Sequence, residues 1–198
     1  MRVHVVHAHP SASSFTAAVR DRVVGALKAQ GHEVDELDLY AAGFDPVLSE
    51  AEWAANLDSS RNLAGVASEA DRLRRAEALV LCFPTWWYGM PAILKGWFDR
   101  VWVPGVAFHL APGGGPIRPG LANIRHLAVV TTHGSLWWFI TFGVGNPGKA
   151  VLMRGLARLI APGATTRFLA AYDMDRAPRP RLERFLARVE RAFGAFGR

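Results

Sequence analysis

The stretch Cys82 to Phe108, CFPTWWYGMPAILKGWFDRVWVPGVAF, decides the fold. Val80, Leu81, Cys82 and Phe83 form a continuous apolar run of the kind a strand buried on both faces carries, and Pro84, which has no N–H for a further ladder bond, stops it. Trp86, Trp87 and Tyr88 then place three rings where the chain turns. Gly89 lets backbone approach a ligand closely, and Pro91 has the fixed φ suited to the first position of a helix. Flat rings and backbone N–H groups therefore converge at the carboxyl end of one strand. The competing reading is a buried aromatic cluster with no ligand, but three consecutive large rings at a turn cannot all point into one core.

Outward from this segment, strands and helical patterns alternate. The sequence predicts strand 2–8, helix 15–29, strand 33–38, a long loop with a helical turn or two, helix 66–76 and strand 79–84. Helix 91–102, strand 126–132, helix 148–161, strand 167–173 and helix 179–193 follow. Five short apolar strands separated by helices mean an α/β fold: a doubly wound five-stranded parallel sheet in three layers, since parallel strands need crossover connections. The 198 residues fit a single domain, 1–198, which buries roughly 70% of its unfolded surface without disulfides or metal. The Pro/Gly stretch Pro112 to Pro119 reads as a surface loop inside that domain.

The only cysteine, Cys82, lies in an apolar strand and reads as a buried small hydrophobe, so no disulfide framework exists and a reducing, cytoplasmic setting is expected. No signal peptide and no integral membrane segment is expected, because no run of about 18 apolar residues occurs. The formal charge of +6 suggests nucleic acid, but the basic residues are spread along the chain among acidic neighbours without a basic block, and no nucleic-acid partner is expected. Arg179, Arg181, Arg184, Arg188 and Arg191 mark a solvated helix face opposite Leu182, Phe185, Leu186, Val189 and Phe193.

Candidate chemistry lies in three loops. His9-Pro10-Ser11-Ala12-Ser13-Ser14 joins the first strand to a helix with Phe15, Val19, Val23 and Leu27 on its apolar face. Ser13 or Ser14 is the natural N-cap, and the helix N-terminus offers open amides and a positive dipole end to an anion; an ordinary cap with no ligand reads equally well from the residues alone. His7 and His9 alternate onto one strand face, but no third ligand has recognisable spacing and no metal site is expected. Gly143 to Gly148 fits G-x-G-x-x-G, yet it stands some ten residues past the strand and lacks the required acid downstream. In helix 91–102, Ile93, Leu94, Trp97, Phe98, Val101 and Trp102 cover an arc of about 180°, wider than one sheet requires. That surplus points to a second subunit or to cover by the following loop with Val106 and Phe108.

The segment Pro84 to Val101 closely resembles P-x-x-W-[FWY]-G-x-P-A-x-L-K-x-W-[FL]-[DE]-R-V of the NAD(P)H:quinone oxidoreductase (diaphorase) family, which has a flavodoxin-like fold. HAHPSASSF (His7 to Phe15), LDLYAAGFDPVLS (Leu37 to Ser49) and TTHGS (Thr131 to Ser135) extend the resemblance over most of the chain. The resemblance implies strand order 2-1-3-4-5, with ligands beyond the carboxyl ends of strands one and three. It implies a flavin, FAD with FMN as alternative, and NAD(P)H as co-substrate reducing a quinone-like acceptor by ping-pong two-electron hydride transfer in a homodimer. His9, Ser14, Phe15 and Thr16 stand where the family holds the flavin phosphates. Pro84, Thr85, Trp86, Trp87 and Tyr88 border the flat ring system, and Thr131, Thr132, His133 and Gly134 face its pyrimidine side.

Two departures matter. The family's glycine loop reads T-T-G-G, whereas His133 here replaces a glycine. Leu136 to Gly148 also contains neither the tyrosine nor the histidine that family members are thought to use toward the reduced state, which leaves His133 or Tyr88 as substitutes. Trp137, Trp138, Phe139 and Phe142 suggest an apolar pocket wall suited to a flat acceptor, or else core or dimer contacts. A different class of reading is an ancillary regulatory subunit of a membrane potassium-efflux transporter, as relatives of similar length are. An electron-carrier flavodoxin is a third reading, which the basic charge disfavours.

Overall fold

The computed structural model describes residues 1–111, 113 and 115–197. Its strands are β1 (Arg2–His7), β2 (Glu33–Asp38), β3 (Ala78–Pro84), β4 (Phe108–His109), β5 (Arg118–Pro119), β6 (His126–Thr132) and β7 (Thr165–Ala171). The helices are α1 (Phe15–Ala29), α2 (Glu50–Ala55), α3 (Ala67–Arg75), α4 (Ala92–Val101), α5 (Pro147–Ala150) and α6 (Arg179–Phe193). Five strands form one parallel sheet in the order β2-β1-β3-β6-β7, which is the expected 2-1-3-4-5 arrangement.

β3 pairs with β1 on one side and β6 on the other and is buried along its whole length, as its apolar run requires. Its side chains alternate between two cores. Ala78, Val80 and Cys82 join the layer of α1 and α6, while Leu79, Leu81 and Phe83 join that of α3 and α4. Cys82 is fully buried, and burial pushes its thiol up to about 12, so it packs as a hydrophobe.

The surplus apolar arc of α4 is covered within the chain. Trp97, Phe98 and Val101 are buried, and Trp102, at 8% exposed, packs edge-on against Phe98 and Trp97 with ring centroids 4.9 and 6.2 Å apart. Val103 and Val106 close over them. A partner subunit is therefore not needed to bury this face, and the dimer argument drawn from its width falls away.

Three further expectations change. The predicted helix 148–161 is instead short α5, a π-helical turn Val151–Gly155 and a 3-10 turn Leu156–Leu159. Asn146, in the left-handed region at φ 47°, and Pro147 begin it, and Gly155 interrupts it. The last strand runs 165–171 rather than 167–173, because Thr165 and Thr166, polar and exposed, still pair with His126 and Leu127. Apolar patterning cannot register such edge residues. The predicted surface loop Pro112 to Pro119 ends in β5, which pairs antiparallel with β4; Pro112 itself lies outside the described residues.

The long segment after β2 is pinned on α4. Ser49 and Glu52 form a reciprocal capping box at the start of α2, and Glu52 accepts from Arg100 of α4 at 2.6 and 2.8 Å in a largely shielded pair. Gly96 permits the crossing: a Cβ there would lie 2.1 Å from the Pro46 carbonyl oxygen. Gly96→Ala is therefore expected to destabilise the fold by about 1–3 kcal/mol through backbone displacement. Gly155→Ala, where a Cβ meets open space, should leave the melting temperature within a few degrees of wild type. Thermal and urea unfolding of the two variants checks the contrast.

Candidate functional site

At the carboxyl ends of β3 and β6 lies a cavity of about 420 Å³. Pro84, Thr85, Trp86, Trp87 and Tyr88 form one wall, and Thr132, His133, Gly134 and Ser135 the opposite one. Ile140, Met174 and Asp175 complete it. The first wall is a two-residue turn: Trp86 N–H donates to the Gly89 carbonyl and Gly89 N–H to the Trp86 carbonyl, each at 3.0 Å. Trp87 and Tyr88 occupy its corners at φ 50° and 64°. Such a turn favours Asn and Gly, and a bulky residue in the left-handed region costs about 1–2 kcal/mol. Here the strain falls on two aromatics, not on Gly89. Trp87 is 96% exposed, so its ring gains no packing that offsets the strain, whereas Tyr88 lies 6.3 Å from the Phe139 ring.

The second wall is knitted to both neighbouring loops. Thr85 N–H donates to the Thr132 carbonyl at 2.8 Å, and the Thr85 and Thr131 hydroxyls are 3.0 Å apart. Thr131 itself is buried behind the wall. His133 N–H donates to Ala171, and Met174 N–H returns to the His133 carbonyl. The His133 ring is buried and stacks on Tyr172 at 4.9 Å and 7°, with neither ring nitrogen bonded among the described residues. Burial lowers its pKa to about 4, so the imidazole is neutral at ordinary pH. Gly134 approaches the Asp175 carboxylate so closely that a Cβ would lie 3.0 Å from it.

The loop after β1 stands beside the cavity, with the His9 ring 6.1 Å from Trp86. His9 Nδ1 accepts from Ser11 N–H at 3.0 Å, leaving Nε2 free to donate outward. Ser14, not Ser13, caps α1 by accepting from Ala17 N–H, and the Phe15 and Thr16 amides remain open among the described residues. The Phe15 ring turns to Phe185 of α6 and Thr16 is buried, so these two can serve an anion through backbone. His7 is buried, with Asp38 at 3.9 Å, whereas His9 stands in the loop beyond it, beside Trp86. Among the described residues no three His, Cys, Asp or Glu side chains are placed to share a metal ion.

A family model described as flavodoxin-like fold matches residues 1–191. NAD(P)H dehydrogenase [quinone] 1 of Rattus norvegicus is 35% identical over 169 residues, 76% of this chain and 60% of the relative's length. The solved NAD(P)H:quinone oxidoreductase from Methanothermobacter marburgensis is 28% identical, with a TM-score of 0.80 over 98% of this chain and 96% of that one. The chain belongs to this flavodoxin-like family and spans less than two thirds of the length of the first curated relatives it matches. An FMN-dependent NADH-azoreductase from Bacillus anthracis, solved with FMN, shares the fold at 17% identity, with a TM-score of 0.75 over 100% of this chain and 99% of that one.

Like other flavodoxin-like chains, this one gathers its loops at the carboxyl edge of the sheet. The structure brings Pro84 to Tyr88 together with Thr132 to Gly134, and sets His9 beside them. Ser14, Phe15 and Thr16 do not line the cavity; they form the adjoining loop. Ser135, part of the Thr131–Ser135 loop that the sequence singled out, also lines the cavity, whereas Ile140, Met174 and Asp175 escaped the sequence reading. Met174 and Asp175 follow β7 directly, and that position after a parallel strand was the available signal.

The strained turn makes a separable prediction. Trp87→Gly should relieve the left-handed strain and raise the melting temperature of ligand-free protein by about 2–4 °C, the equivalent of about 1 kcal/mol in a chain this long. The same change should weaken flavin binding. Calorimetry and flavin titration read the two effects independently, and a lower melting temperature would contradict the assignment of strain.

Proposed function

We propose that this chain is a flavin-dependent NAD(P)H oxidoreductase acting on quinones or similar flat acceptors, with FAD as the first expectation and FMN the alternative. The observation that carries the reading is the cavity itself, where an aromatic turn faces a loop with an unpartnered buried imidazole at the carboxyl ends of β3 and β6. Family membership and the names of the relatives support it. The donor set fits a flavin nucleotide. The Gly134 and Ser135 N–H groups bond to nothing among the described residues and can face a pyrimidine edge, and the His9 loop with the open Phe15 and Thr16 amides can take the phosphate.

A flavin supplies two-electron hydride chemistry when bound. The protein orients the ring system between the turn and the Thr132–Ser135 loop and stabilises negative charge developing at the pyrimidine edge with fixed donors. His133 lines the cavity with its ring neutral, buried and stacked on Tyr172, so it brings no full positive charge to that edge, and its two covered nitrogens reach a ligand only if the ring turns. The Tyr88 hydroxyl is the second candidate to hold or move a proton. A homodimer follows from the resemblance and is tested by elution volume and light scattering.

The protein is expected to purify yellow or to take up flavin stoichiometrically, and heat release followed by chromatography against FAD and FMN standards identifies the nucleotide. A colourless protein that binds neither flavin in titration would overturn the reading.

His133 has a pH signature. The unfolded chain takes up a proton near 6.5 that the folded protein refuses until about pH 4, so the folded state loses stability as pH falls through that window and is insensitive to this group above it. His133→Gln should flatten that part of the stability profile. His133→Gly should slow flavin reduction by NAD(P)H about tenfold in stopped-flow measurements, and the wild-type pH profile should show no inflection near 6.5 from this group. Unchanged rates would leave the backbone amides as the stabilising groups.

A further inference from the structure

Behind the His133–Tyr172 stack lies a second cavity of about 410 Å³. Trp137, Asn146, Lys149, Arg154 and Tyr172 are among its lining residues, and no acid lines it. The reason is in the sequence: from Arg100 to Tyr172 the chain contains no aspartate or glutamate while carrying seven lysines and arginines. Arg125 is paired with Glu77, and Arg100 with Glu52. Among the described residues neither Lys149 nor Arg154 has an acidic partner. Lys149 Nζ lies only over the Phe168 ring, at 5.4 Å. The nearest acid in sequence, Asp173, is engaged by Arg181 at 3.4 Å.

Two unneutralised cations in one concavity attract a doubly charged anion. Trp137 adds an aromatic surface: its ring is half exposed and meets Phe142 edge-on at 5.6 Å, so a face is free for stacking. Asn146 gives its carbonyl oxygen to the Lys149 N–H and keeps its amide N–H groups for a ligand. The two cavities adjoin. Tyr172 lines the second and stacks on His133 of the first, while Ile140 faces the first and its neighbour Thr141 the second. A ligand reaching both would be an extended one, with one flat ring at the aromatic turn and a second flat ring bearing phosphate.

We propose that the second cavity binds the 2′-phosphoadenosine end of NADPH, so that Lys149 and Arg154 make this chain discriminate NADPH from NADH. The inference rests on the oxidoreductase reading but is tested without turnover. Adenosine 2′,5′-bisphosphate and 5′-AMP are titrated into the purified protein by calorimetry, with tryptophan fluorescence as a second signal. The bisphosphate should bind about a hundredfold more tightly than 5′-AMP, about tenfold from each of the two cations. Arg154→Gln and Lys149→Gln should each abolish about a tenfold share of that preference, the scale of a charge-assisted contact to phosphate. Circular dichroism and melting temperature confirm that both variants fold, which their exposed positions favour.

In turnover, KM for NADPH should rise in both variants with KM for NADH unchanged. Equal binding of the two adenosine phosphates, or a preference that survives both substitutions, would overturn the proposal. If the protein reduces quinones with NADH and NADPH alike and ignores the bisphosphate, this inference fails and the oxidoreductase reading stands. If the bisphosphate binds but no flavin does, the oxidoreductase reading fails and the anion site stands.

Discussion

Burial of β3 on both faces is the constraint from which the rest of the site follows. Every residue from Ala78 to Pro84 is buried, so the strand occupies the centre of the sheet with β1 and β6 beside it, and its two sets of side chains nucleate two separate cores. A strand held this way cannot slip in register without exchanging those sets, which fixes where Pro84 ends the ladder. The aromatic turn therefore emerges at one defined height above the sheet. Thr85 ties it to Thr132 by a backbone hydrogen bond, so the two cavity walls are separated by a strand spacing rather than by a flexible loop.

On that rigid base the protein accepts local strain. Two large aromatics sit in the left-handed region at a turn that glycine or asparagine would occupy more easily, and one of them is almost wholly exposed. The pair of hydrogen bonds between Trp86 and Gly89 over-determines the geometry and holds it. The opposite wall also carries a cost, since His133 is buried with no partner for either ring nitrogen among the described residues. Both departures from local stability occur around the same cavity, which is where a binding site puts them.

Electrostatics divides the molecule unevenly. The acids cluster in the first half of the chain, where Asp35, Asp38 and Glu52 are matched by Arg72, Arg20 and Arg100. Against the upward push of burial, the Ser49 backbone and hydroxyl hydrogen bonds, joined by Arg100, hold Glu52 below the usual carboxylate range. The segment leading to β7 has no acids to spare, so its cations stay unmatched at the mouth of a cavity. Formal charge alone did not reveal this; its distribution along the folded chain does.

The sequence by itself determined the five parallel strands, the two-faced burial of β3, a serine cap on α1 narrowed to Ser13 or Ser14 and the aromatic turn, because each depends on neighbours within a few residues: an apolar run, a proline, a hydroxyl just ahead of a helix. It also located the Thr131–Gly134 loop, through a motif that resembles a known family's. Only the tertiary structure decided by what the wide face of α4 is covered, since Val103 and Val106 return over the Trp97, Phe98 and Trp102 rings through a fold-back that periodicity does not encode. It alone set Asp175 against Gly134, stacked His133 on Tyr172 and left Lys149 and Arg154 unpaired. Those contacts join residues about 20 to 40 positions apart that meet only because β6 and β7 lie side by side, and their energies depend on burial and distance, quantities that exist only once the chain has folded.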